Sequence, residues 1–143
     1  MIKIRKYREL ISLIIMIAIL GGCSSLLQFP SYYDSTTYKN LTDLKPEVLV
    51  LYDSFAGNAV DSAQISALRL KFEQMLEYEK GKGPKNAETA KQIELIKSMY
   101  ERHVADRLNS QTSWNETHRD NCKENIGEAF DIAISTEALK NKN

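Results

Sequence analysis

His118 and Cys122 stand four residues apart, one helical turn, so in a helix both side chains leave the same face. An imidazole and a thiolate so placed can share a metal ion. Zinc would need one or two further donors, and His103 and Asp106, near the end of the preceding predicted helix, lie across a short connection. The same pair also reads as a nucleophile and its general base, with Asp120 or Asp106 as the orienting group. Asp120 is two residues from each partner and therefore faces elsewhere on the helix. The register argues for a plainer role. His118 and Cys122 belong to a run Trp114, His118, Cys122, Ile126, Phe130, Ile134 at intervals of four. A small thiol and a hydrogen-bonded imidazole are ordinary members of such a stripe, and the spacing matches none of the usual Cys/His zinc patterns. The expectation is no catalytic residue, no cofactor and no metal, with His103, Asp106, His118 and Cys122 as the candidate ligand set.

Other charged residues read as surface. Glu73 and Glu77 form a solvated helix face, because nothing places them in the apolar pocket that would raise a carboxyl pKa. Lys80, Lys82 and Lys85 cluster at a predicted turn, where lysines complement the negative end of a helix dipole. The chain has no Gly-rich phosphate loop, nucleophile elbow or His-Glu-x-x-His sequence.

Four helical patterns must position these groups. The first starts near Thr42 or Lys45 with Pro46 in its first turn, presents Val48, Leu49, Leu51, Tyr52 and Phe55, and stops at Gly57-Asn58. The second is capped by Asp61, with Gln64 three residues on and Val60 set to staple against Ile65. Its stripe is Ile65, Leu68, Phe72, Met75 and Leu76, and Gly81-Lys82-Gly83-Pro84 ends it. Asn86 caps the third, whose stripe runs Ala90, Ile93, Ile96, Tyr100, Val104, Leu108. Ser113 and Glu116 form a capping-box pattern for the fourth, which contains Gly127 and runs to about Leu139. No alternating strand pattern appears. The fold class expected is all-α, a small bundle of three long helices plus one shorter helix.

Ahead of the helices, Lys3, Arg5, Lys6 and Arg8 precede an apolar run from Leu10 to Leu20, the charged and apolar regions of a secretory signal. Leu20-Gly21-Gly22-Cys23 resembles the lipobox of bacterial lipoproteins, a leucine and two small residues before a cysteine. The resemblance implies removal of residues 1–22, lipid on Cys23, and, with Ser24 next, an outer membrane facing the periplasm if the cell is Gram-negative. The competing reading is a retained membrane helix, since no charge occurs from Leu10 through Tyr33; the strongly apolar part, however, ends at Leu20, short of the ~20 residues a span needs. Residues 24–39 contain Pro30 and much Ser, Thr and Tyr without a helical period, which reads as a flexible tether on which Phe29, Tyr32, Tyr33 and Tyr38 can dock against the domain. The domain boundaries expected are thus 1–22 signal peptide, 23–40 lipidated cysteine and tether, and 41–143 helical domain.

The 143 residues carry 19 basic and 19 acidic side chains, and loss of residues 1–22 leaves 15 and 18 in a chain of 121. That is one domain, slightly acidic, which argues against a nucleic-acid binder. Of the two cysteines, lipid on Cys23 leaves Cys122 without an internal partner and excludes a disulfide framework. Together these features imply a membrane-anchored module of the cell envelope, not an enzyme, whose partner is another envelope protein. The alternative is a metal- or thiol-dependent protein centred on His118 and Cys122.

Overall fold

The computed structural model describes residues 31–140 except 58 and 111. The expected signal peptide, lipobox and tether before residue 31, with Phe29, lie outside these residues. Four helices follow in order: α1 Ser35–Ser54, α2 Ser62–Gly81, α3 Ala87–Asn109 and α4 Glu116–Ala138, with a 3-10 turn, Pro84–Asn86, before α3. Each helix packs on the next and α4 closes the ring against α1, while the diagonal pairs keep their backbones apart and meet only through core side chains. Short connections make neighbours antiparallel, so the fold is the expected all-α bundle.

The core is built mainly from the stripes read from the periodicity, extended by Leu41 and Leu44, while Leu108 and His118 of the expected stripes are exposed. Leu41, Val48, Leu51 and Tyr52 of α1 and its C-cap Phe55 meet Ile65, Leu68 and Phe72 of α2, Ile93, Ile96, Tyr100 and Val104 of α3, and Ile126 and Phe130 of α4. Phe72 sits between Tyr100 and Phe130, with ring centroids 5.1 and 6.1 Å away. Tyr100 is buried, and its hydroxyl offsets the loss of water by donating to the Ile65 carbonyl at 3.0 Å.

The first helix differs from expectation. It begins at Ser35 rather than near Thr42, which makes all four helices long and places residues 35–40 in the bundle instead of the tether. The cause is Asp34, whose carboxylate accepts from the backbone N–H of Thr36 at 2.8 Å and Thr37 at 3.1 Å. Thr37 and Leu41 then extend the buried face toward the N-terminus. Pro46 accordingly falls inside the helix, where it deprives the carbonyl four residues before it of a donor.

Two caps also differ. Asn115, not Ser113, caps α4 by accepting from the His118 N–H at 2.8 Å. Asn86 precedes α3 but makes no side-chain cap, because the 3-10 turn already leads into the helix. Asp61 caps α2 as expected, bonding Ala63 and Gln64. Gly83 takes φ 81° in the α2–α3 connection, a conformation that favours glycine.

At the C-terminus of α3, Leu108 is 53% exposed and Arg107 takes the buried place expected for it. The end of α1 supplies the reason. Its last carbonyls need donors, and the Arg107 guanidinium reaches Phe55 O at 2.9 Å and Gly57 O at 2.7 Å.

Gly127 does not break α4; it is buried against α1. A Cβ there would find Leu49 Cδ2 and Lys45 Cε no nearer than 4.0 Å. Gly127→Ala is therefore expected to stabilise the protein by up to about 1 kcal/mol through helix propensity. Thermal unfolding checks this, and a lower Tm would mean that α1 needs the bare backbone.

Candidate functional site

The C-terminal half of α3 and the N-terminal half of α4 bring all four sequence-selected residues to one shallow groove, lined by His103, Asp106, His118 and Cys122 among others. The helices that carry them are antiparallel, so His103 and Asp106 near the end of α3 meet His118 and Cys122 near the start of α4. Trp114, immediately before the α4 cap, is buried and sits edge-on to His118 at 4.5 Å between ring centroids. Its backbone N–H donates to Phe55 O at 3.0 Å, which fixes the entry to α4 against the end of α1.

The four side chains are not equivalent. His103 Nδ1 lies 2.9 Å from the hydroxyl of Tyr52, a fully buried residue. Burial, reinforced by the negative field of neighbouring groups, pushes the Tyr52 hydroxyl far above its ordinary pKa. It therefore donates, and His103 accepts. Burial also lowers the His103 pKa, helped by Arg102 and His118, and Asp106 offsets this only in part. His103 is thus a neutral imidazole committed to a core hydrogen bond.

His118 is half exposed, and a single nitrogen does its work: Nε2 is 3.0 Å from Asp106 Oδ2 and 3.8 Å from Cys122 Sγ. A nucleophile-and-base arrangement uses opposite ring nitrogens, one toward the thiol and one toward the orienting carboxylate. Here both contacts converge on Nε2. Cys122 is 6% exposed, and burial together with Asp106 raises its pKa, the reverse of what thiolate chemistry requires. Asp120 is exposed and bonds Arg119 at 2.8 Å, so it does not serve as a third group. Among the described residues, no three of His, Cys, Asp and Glu are grouped to hold a metal ion. A Cys23→Ser chain, in which Cys122 is the remaining cysteine, is expected to react with an aromatic disulfide reagent slowly when native and fully in denaturant. Rapid native modification would restore a thiol role.

Sequence reasoning missed a second polar cluster, at the opposite end of the bundle. Glu79 and Glu137 are fully buried. Lys82 Nζ reaches Glu79 Oε1 at 3.1 Å, Thr37 Oγ1 at 2.8 Å and Asp34 Oδ2 at 3.0 Å, and it stands 4.9 Å from the centre of the Tyr78 ring. Thr37 donates to Glu79, and Tyr78 donates to Asp34 at 2.8 Å. The Asp34 N–H bonds Glu137 at 2.7 Å, and Lys140 bridges Glu137 to Thr89. Glu79 Oε2 is 3.0 Å from the ammonium but lacks hydrogen-bond alignment, so its stabilisation is Coulombic. Burial works to raise the Asp34 pKa, yet the Thr37 N–H, Lys82 and Tyr78 outweigh it and bring the carboxyl down to about 2. Burial likewise opposes the charge on Lys82, and Glu79 and Asp34 outweigh it, so its pKa is raised. Lys82 is thus not part of a surface lysine patch: the carboxylates around it, not the helix dipole, hold it. Lys80 remains outside, 3.5 Å from Glu77, and Glu73 pairs with Lys97, so both acids lie on charged surface. The overlooked signal was register: Glu79 lies seven residues after Phe72, and Glu137 seven after Phe130, in line with the buried stripes.

No protein-family model, curated protein or solved structure matches this chain. No helix of the described residues is long and apolar enough to cross a membrane.

Proposed function

We propose that this chain is a bacterial envelope lipoprotein, held to a membrane through lipid on Cys23, whose helical domain is a non-enzymatic module that binds another envelope protein. The observation that carries the reading is Leu20-Gly21-Gly22-Cys23, placed after a basic and then an apolar segment. The helical domain begins at Asp34, eleven residues after that cysteine. The side chains best suited to chemistry support the reading, because His103 is committed to Tyr52 and Cys122 is held as a thiol. Ser24 favours the outer membrane, facing the periplasm, in a Gram-negative cell.

Photo-crosslinking in the native cell from exposed helix positions tests the module reading. Discrete adducts with one envelope protein are expected. The competing reading, a metal- or thiol-dependent protein, draws on the convergence of Asp106 and Cys122 on His118 Nε2. Stoichiometric zinc in protein purified from its own cells, lost on His118→Ala, would favour it and overturn the first.

A further inference from the structure

Three of the four seams between neighbouring helices are strapped by ion pairs. Glu47 and Lys71 close α1–α2 at 2.5 Å. Arg69 and Glu101 at 2.8 Å, with Lys97 and Glu73, close α2–α3. Lys45 and Asp131 at 2.6 Å and Asp53 and Lys123 at 2.5 Å close α1–α4. The α3–α4 seam has no lysine or arginine ion pair among the described residues. Besides the Lys140–Thr89 bond at its far end, its cross-links are Asp106 to His118, and Gln92 to Thr136 at 3.5 Å.

Those two contacts set an antiparallel register in which Leu95 and Ile132, and Met99 and Ala129, stand within about two residues, ~3 Å, of the same level. Leu95 is 61% and Ile132 62% exposed, among the most exposed large apolar side chains of the bundle. Met99 and Ala129 form the half-buried floor between the helices. Arg102 on α3 and Glu128 on α4 line the same groove, and among the described residues neither has a hydrogen bond or ion pair. On this one face an apolar strip and two opposite charges lack the partners that the other seams possess.

We propose that the α3–α4 face is the seat of a second copy of this chain. The face is self-complementary under a two-fold axis parallel to the helices, which sets α3 of one molecule antiparallel to α4 of the other. Leu95 then meets the second copy's Ile132, and Met99 its Ala129. Arg102 stands on the order of one turn, ~5–6 Å along the axis, from the level of the second copy's Glu128, within the reach of an arginine. Each pairing occurs twice. Such an axis also keeps both α1 N-termini at one end, so two lipid anchors enter one membrane; this last point rests on the lipoprotein reading. Anchoring raises the effective concentration of the pair, so a modest interface suffices.

Sedimentation of the mature chain, supplemented by energy transfer between labelled copies in neutral phosphatidylcholine vesicles, reads the association. A dimer is expected, weakened roughly tenfold or more by Arg102→Glu or Glu128→Arg alone, since each places two like-charged contacts across the axis. The combined Arg102→Glu, Glu128→Arg chain should recover an affinity near the original. Both side chains are exposed, and unchanged helical dichroism shows that the variants fold. A chain that stays monomeric in solution and on vesicles overturns the proposal. So does a dimer indifferent to the single reversals, or a double variant that fails to recover. The mass of the N-terminal peptide reports lipid on Cys23 separately, so loss of the anchor reading and loss of the dimer are distinct results.

Discussion

Replacing Lys82 by Met is expected to cost about 3 to 5 kcal/mol, the penalty for stranding a buried charge whose partner is removed. Glu79 has no exposed surface, and Lys82 is the cation that neutralises it. The same ammonium holds Asp34 and Thr37, so its loss leaves one fully buried carboxylate and one partly buried carboxylate in a medium that solvates them poorly. For a domain of this size the midpoint of thermal unfolding should fall by roughly 12 to 20 °C. Glu79→Gln in the Lys82→Met background should recover much of the loss, because an amide oxygen still accepts from Thr37 and the fully buried charge is gone, while Asp34 keeps the Thr36 and Thr37 N–H groups and the Tyr78 hydroxyl. A loss below about 0.5 kcal/mol for Lys82→Met would place the cluster with surface ion pairs. The pair need not be worth much as a whole, since matched apolar residues often replace a buried ion pair without loss. The cluster joins the start of α1 to the ends of α2 and α4, at the point where the chain arrives from Cys23. We infer that it selects this helix start. Amide exchange of residues 35–40 checks this: it should accelerate in Lys82→Met before the rest of the bundle does.

Most of the helical architecture could be read from apolar residues at spacings of three and four, because burial of one face leaves that period in the sequence. The stripes of α2 and α4 emerged nearly complete. What stayed hidden were places where a polar group does the work of an apolar one. Thr37 lies in the buried face of α1 but reads as linker, so the helix start fell seven residues late. Arg107 fills the end of the bundle because two carbonyls of the α1 terminus need a donor, and those carbonyls become visible only in three dimensions. Glu79 and Glu137 sit in register with the core yet carry charge, and a hydropathy pattern scores them as surface. The candidate site was partly legible. The spacing of His118 and Cys122, with His103 and Asp106 across a short loop, located one groove. The Tyr52 hydroxyl that commits His103 lies 51 residues away and had no local signature. The unstrapped α3–α4 seam is likewise a property of pairing between helices and not of any one helix.

The second large effect concerns Cys23. Cys23→Ser should remove all covalently bound lipid from the chain, because the other cysteine, Cys122, is buried within the bundle. Metabolic labelling with an acyl-chain analogue checks this, and label remaining on Cys23→Ser would place the lipid elsewhere. The physical consequence is large. A single acyl chain binds a bilayer only marginally, with an association constant on the order of 10⁴ M⁻¹, whereas two or more hold stably. A diacylglyceryl group on Cys23 meets that requirement without any membrane-spanning helix. On the lipoprotein reading the anchor would be tied to the end of the bundle that carries Asp34, Glu79 and Glu137.

The most direct measurement is the mass of the N-terminal peptide of the mature protein isolated from membranes of its own cell. The account predicts a chain that starts at Cys23 and carries a diacylglyceryl group on sulfur, with or without a further acyl chain on the amine. A chain that retains Met1 through Gly22, or one with an unmodified thiol at Cys23, would contradict it.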